Sequence, residues 1–65
     1  MRVAVDAMGG DFGPAVVVPS SLVALDDPDY LDLSIIFVGQ SSKIDPLVTV
    51  LPQSQRQRVR IVDLS

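Results

Sequence analysis

The sequence predicts an α/β fold, the β-α-β-α-β start of a parallel, doubly covered sheet. Three observations carry this expectation. Residues 2–6 (RVAVD), 33–38 (LSIIFV) and 59–63 (VRIVD) are short, rich in β-branched residues and bounded by turn or polar residues, so they read as strands. Two intervening segments repeat apolar residues at helical steps. Finally, the unbroken run Ile35-Ile36-Phe37-Val38 points apolar side chains to both faces of its strand, the mark of a sheet covered on both sides.

The first strand ends at Asp6 and runs into the turn Ala7 to Gly13. A first helix follows, with Ala15, Val18, Leu22 and Leu25 on one face. Pro14 suits its first turn, where the missing N–H is not needed, and Asp11 stands before it as a possible cap. Pro19 conflicts with this, because a proline inside a helix removes a backbone bond and costs about 3 kcal/mol. The helix is therefore expected either to kink at Pro19 or to begin near Val18. Asp26-Asp27-Pro28-Asp29 closes it in a polar turn. The second helix carries Ile44, Leu47, Val48 and Leu51 on one face. Ser42 with Asp45 resembles a capping box, Pro46 is expected in the first turn, and Pro52 to Gln55 is expected as a turn. Strands joined by helical crossovers run parallel, and the crossovers are right-handed in nearly all proteins.

Two helices do not cover both faces of three strands. The expectation is that residues 1–65 form the N-terminal portion of a single larger α/β catalytic domain, whose remainder supplies more strands and a second helix layer. The size agrees, since a chain of 65 residues buries only about 60% of the surface exposed when unfolded. With neither cysteine nor histidine, a disulfide staple and a Cys/His zinc cluster are both excluded, which fits a reducing, cytosolic setting. An apolar fraction of 48% and a formal charge of -3 suit a folded domain and argue against nucleic acid as a partner. Asp6 and the Gly9 to Asp11 turn interrupt the first apolar run, so a signal peptide is not expected. No segment approaches the roughly 18 apolar residues of a membrane span.

In an open parallel sheet, ligands bind beyond the carboxyl ends of the strands. That edge should gather the turn from Asp6 to Pro14, the loop Gly39 to Lys43 and the chain after Asp63. Gly9, Gly10 and Gly13 permit backbone angles closed to other residues and let an anion approach the amides, with a helix N-terminus directly behind them. The same glycines also suit a plain strand-to-helix turn capped by Asp11. Asp6 ends a strand where a carboxylate orients a group, binds a metal or ties down the turn; Asp11 is better suited to positioning the turn than to touching phosphate. The loop is neither G-x-G-x-x-G, because Phe12 occupies a required glycine position, nor a P-loop, because no Gly-Lys-Ser/Thr follows. Lys43 is the one cation expected at this edge, whereas Arg2, Arg56, Arg58 and Arg60 fall at the opposite one. The arginine cluster at 56, 58 and 60 reads as a solvated face, with contact to an acidic partner as the other reading. Tyr30 and Phe37 read as packing residues.

The string Ala4-Val5-Asp6-Ala7-Met8-Gly9-Gly10-Asp11, opening the chain at its first strand, closely resembles the start of bacterial phosphate acyltransferases. The likeness continues through Pro14, Leu22, Ala24 and Leu25, the strand Ile36-Phe37-Val38-Gly39, Ile44 and Leu51, and Arg60-Ile61-Val62. The chain departs from many members at Phe12, where they carry His. The resemblance implies a Rossmann-like fold related to phosphotransacetylases and isocitrate-dehydrogenase-like proteins. It implies transfer of a fatty acyl group from the thioester of acyl carrier protein to inorganic phosphate, giving acyl phosphate for phospholipid synthesis. It further implies a homodimer that is cytoplasmic and peripherally membrane-associated, without a cofactor or metal. Asp6, Gly9, Gly10, Asp11, Gly13 and Lys43 would then be the candidates for the phosphate pocket. Two other readings of the same residues remain beside it. One is a non-catalytic, flavodoxin-like binding module in which both aspartates serve structure; the other is a phosphotransferase holding Mg²⁺ on Asp6 and Asp11.

Overall fold

A computed structural model describes residues 1–9 and 13–64. Strand β1 spans Arg2–Asp6, helix α1 Pro14–Leu22, β2 Ser34–Gly39, α2 Ser41–Val48, α3 Gln53–Arg56 and β3 Val59–Asp63; two 3-10 turns, Val23–Asp26 and Pro28–Tyr30, link α1 to β2. The strands form one parallel sheet in the order β1-β2-β3. The β-α-β-α-β order and parallel pairing expected from the sequence are therefore present.

The register sorts the side chains. Val3, Ile35 and Val59 lie abreast, as do Val5, Phe37 and Ile61. This face packs against α1 and α2 in one core that includes Phe37, Ile35, Ala7, Val18, Leu22, Leu25, Ile44 and Val48. Both crossovers step the same way across the sheet, so right-handed connections bring both helices to one face. On the other face Ile36 and Val38 are half-buried, while Ala4 and Val62 are exposed. Among the described residues nothing covers that face.

Several local expectations are corrected. Helix α1 starts at Pro14 and passes through Pro19 without ending there. The bond Pro19 cannot make would reach the carbonyl of Ala15, which is exposed, so water can serve the acceptor. Ala15 consequently lies outside the core, which takes Val18, Leu22 and Leu25 alone from the expected face. Helix α2 starts at Ser41, two residues too early for a Ser42–Asp45 capping box; its N-cap is Gln40, whose side chain makes no capping hydrogen bond. Pro46 then falls in the second turn. Where a turn was expected over Pro52 to Gln55, Gln53–Arg56 make the single helical turn α3. The aspartate-rich segment after α1 is ordered by its own carboxylates: Asp27 Oδ1 accepts from the Asp29 N–H at 2.9 Å, and Asp26 Oδ1 accepts from Gln55 Nε2.

Arg58 departs furthest from the expectation of a solvated face. Its Nε donates to the Leu33 carbonyl at 3.0 Å, its Nη1 to the Leu25 carbonyl at 2.9 Å and its Nη2 to the Tyr30 carbonyl. One guanidinium thereby ties together carbonyls from the two 3-10 turns and the residue before β2, of which that of Tyr30 also accepts from the Leu33 N–H at 3.0 Å.

Candidate functional site

The carboxyl edge of the sheet is built from three tied strand ends. Ala7 extends the β1 ladder by donating its N–H to the Val38 carbonyl at 3.0 Å. The chain then turns sharply around Asp6. Asp6 Oδ1 accepts from the Met8 N–H at 3.0 Å, and the Asp6 carbonyl faces the Gly9 N–H at 3.4 Å. This is an Asx turn, so of the roles open to Asp6 in the sequence the structure displays the one that ties down the turn. Gly9 lies close to that carboxylate: a Cβ there would stand 3.2 Å from Asp6 Oδ2, so the carboxylate would have to give by a few tenths of an ångström.

Gly13 is the N-cap of α1 and has φ 68° and ψ -165°, a region essentially closed to residues with a Cβ. Its carbonyl accepts from the N–H groups of Val16 and Val17 at 3.2 and 3.1 Å. The N-cap position thus belongs to Gly13, and the expected cap Asp11 falls outside the described residues. Pro14 has no N–H and Val16 already donates to Gly13, so among the described residues the amide of Ala15 is the remaining donor in the first three positions of α1. Gly10, Asp11 and Phe12 lie outside the described residues, as does Ser65.

The second loop brings a feature the sequence reading missed. Asp63, at the end of β3, accepts from the Ser41 N–H at 3.1 Å through Oδ1, placing a carboxylate at the N-terminus of α2. Leu64 continues the ladder by donating to the Gly39 carbonyl at 2.8 Å. The signal was present: a strand-ending aspartate lies one parallel strand away from the loop that opens α2. Lys43 is exposed in the first turn of α2, as expected. The described part of the edge therefore holds two carboxylates, Asp6 and Asp63, against one ammonium, Lys43. An anion held here needs further cations from outside this chain segment.

Gly39 joins the first two loops. A Cβ on it would lie 2.7 Å from Cγ and 3.2 Å from Sδ of Met8, and 3.2 Å from Cδ1 of Ile44. Met8 thus folds down over the end of β2, anchoring the β1 turn to α2. No group of three or more acidic, His or Cys side chains capable of holding a metal ion occurs among the described residues, and none of their helices is long and apolar enough to cross a membrane.

A parallel sheet with a glycine turn leading from its first strand into a helix defines an α/β protein, with the candidate site at the strand ends. The chain belongs to the fatty acid synthesis protein family, whose model matches residues 1–65. Among its relatives is the phosphate acyltransferase of Stutzerimonas stutzeri, 49% identical over 61 residues, covering 94% of this chain and 17% of the relative. The phosphate acyltransferase of Wolinella succinogenes is 43% identical over 63 residues, covering 97% of this chain and 17% of the relative. That of Pasteurella multocida is 39% identical over 66 residues, covering the whole chain and 19% of the relative. The chain thus spans less than a fifth of the length of these curated relatives. No solved structure gives a significant match.

Proposed function

We propose that this chain is part of the catalytic domain of a phosphate acyltransferase, which moves a fatty acyl group from acyl carrier protein to inorganic phosphate. The observation that carries the reading is the match of the family and of relatives with that name along nearly the whole chain. In the reaction an oxygen of phosphate attacks the thioester carbonyl, the tetrahedral intermediate collapses, and the carrier protein leaves as its thiol after taking up a proton. The products are acyl phosphate and free carrier protein. Phosphate is itself nucleophilic at neutral pH, so the absence of Cys and His from this chain does not conflict with the chemistry.

The proposed contribution of this segment is to shape the phosphate side of the pocket. Asp6 sets the turn, Gly9 lets the backbone pass close to that carboxylate, and Gly13 starts α1 without a side chain in the way. Gly10 and Asp11 belong to the same turn in sequence. Amides presented along it would stabilise negative charge as phosphate attacks. Lys43 would add a cation from the neighbouring loop. The enzyme is proposed to act as a cytoplasmic homodimer associated peripherally with the membrane, with no cofactor.

The test uses the full-length enzyme. Gly10→Ala and Asp11→Ala are expected to lower phosphate-dependent acyl transfer at least about tenfold, the loss of roughly 1.4 kcal/mol of transition-state stabilisation. Unchanged rates and an unchanged KM for phosphate in both variants would overturn the assignment of this turn.

A further inference from the structure

The carboxylate of Asp6 commits only one of its two oxygens to the fold. Oδ1 accepts from the Met8 N–H at 3.0 Å, whereas Oδ2 accepts from no donor among the described residues, and no described cation forms an ion pair with it. Oδ2 nevertheless stands beside the glycine turn, 3.2 Å from where a Cβ on Gly9 would lie, and the residue is exposed. An ionised carboxylate can only accept hydrogen bonds. Asp6 therefore presents a negatively charged acceptor, held in place by its own Asx turn, at the strand end that leads into α1.

The surrounding charges sharpen the consequence. Asp63 at the end of β3 brings a second carboxylate to this edge, and Lys43 is the cation set against the two among the described residues. An anion without a hydrogen, such as sulfate, is repelled by a carboxylate oxygen, because both partners need donors and neither has one. Inorganic phosphate differs. At neutral pH each of its ionic forms keeps at least one P–OH, and that hydroxyl can donate to a carboxylate as a short, charge-assisted bond. A site that accepts from a substrate hydroxyl rejects an analogue lacking it, since the acceptor is then left unpaired against the analogue's charge.

We propose that Asp6 is a specificity-determining residue of the phosphate pocket: its Oδ2 accepts from the P–OH of bound phosphate and so selects phosphate over anions of similar size and charge that have no hydrogen to donate. This rests on the reading of the chain as part of a phosphate acyltransferase. The two oxygens of Asp6 then have separate tasks. Oδ1 holds the turn, and Oδ2 reads the ligand. A carboxylate at an edge that must take an anion is thereby explained, because its hydrogen bond offsets the repulsion for phosphate and not for sulfate.

The test compares three anions on the full-length enzyme by calorimetric titration: inorganic phosphate, sulfate, and fluorophosphate, which has P–F in place of the P–OH of hydrogen phosphate at the same charge. The wild type is expected to bind sulfate and fluorophosphate at least about tenfold more weakly than phosphate. Asp6→Asn keeps an oxygen to accept from the Met8 N–H, and so keeps the Asx turn, but places an NH2 donor where Oδ2 stood. In that variant phosphate should bind more weakly and both analogues more tightly, so that the preference falls at least about tenfold. Equal affinities for the three anions in the wild type overturn the proposal, as does a preference unchanged in Asp6→Asn. Asp6→Ser, whose hydroxyl also accepts from an amide two residues on, replaces Asp6→Asn if that variant does not fold. A purely structural Asp6 would lower stability or rate without moving the preference. Phosphate-dependent acyl transfer is measured on the same wild-type protein. Its absence alongside selective phosphate binding overturns the functional reading alone, transfer without anion preference overturns the role of Asp6 alone, and failure to bind phosphate overturns both.

Discussion

Gly39 shows how a residue without a side chain governs one with a flexible side chain. The sulfur-bearing arm of Met8 occupies the space a Cβ would take at the end of β2, and so fixes the turn that follows β1. Gly39→Ala in the full-length protein is expected to cost about 1–3 kcal/mol by overpacking. Adding Met8→Ala should recover part of that loss, because it empties the contested space; urea denaturation of the two single variants and the double variant measures the coupling. The need for this glycine was not legible in the sequence. Gly39 follows a strand and precedes a polar loop, which suggests a simple turn, and the demand comes from a side chain 31 residues away. Gly9 and Gly13 were singled out in the sequence, and the structure gives each a separate reason: closeness to the Asp6 carboxylate for one, a positive φ for the other.

At the scale of elements, the strands were the most legible part. β1 and β3 fall where the β-branched runs placed them, and β2 is displaced by one residue. Local apolar pattern decides strands of this kind because every second residue must enter the core. Helix boundaries were less legible. Pro19 and Pro46 both stand inside helices, since tertiary packing of Val18, Leu22, Ile44 and Val48 outweighs the lost backbone bonds. The connection from α1 to β2 depends on Arg58, which lies just before β3 and looked like one of three solvated arginines. Arg58→Ala removes three charge-assisted bonds to carbonyls and is expected to destabilise the full-length protein by about 2–3 kcal/mol. Arg56→Ala, at an exposed position in α3, should stay within about 0.5 kcal/mol. Equal effects in a thermal or urea melt would refute the clasp.

The whole molecule is a half-covered sheet. One face holds a continuous core, while the other presents Ile36, Val38 and Val62 with no described residue above them. Residues 1–65 expressed alone are therefore expected to give a broad, non-cooperative thermal transition, with exposed apolar surface detectable by dye binding. A sharp transition in a monomer would show that one helix layer suffices. The amino terminus adds little to this balance: its ammonium sits 3.4 Å from Asp32 Oδ2, but both groups are exposed.

The sequence by itself determined the strand and helix order, the parallel pairing, the placing of the glycine turn at the strand-end edge and the family. These follow from local periodicity, from the handedness of crossovers and from a motif that is contiguous in the chain. Only the tertiary structure decided that Asp63 closes the N-terminus of α2, that Arg58 binds three carbonyls and that Met8 requires Gly39. Each of these joins residues more than 20 positions apart. Their partners are set by the sheet register and by the side chosen by the helices, and neither is written in the spacing of nearby residues.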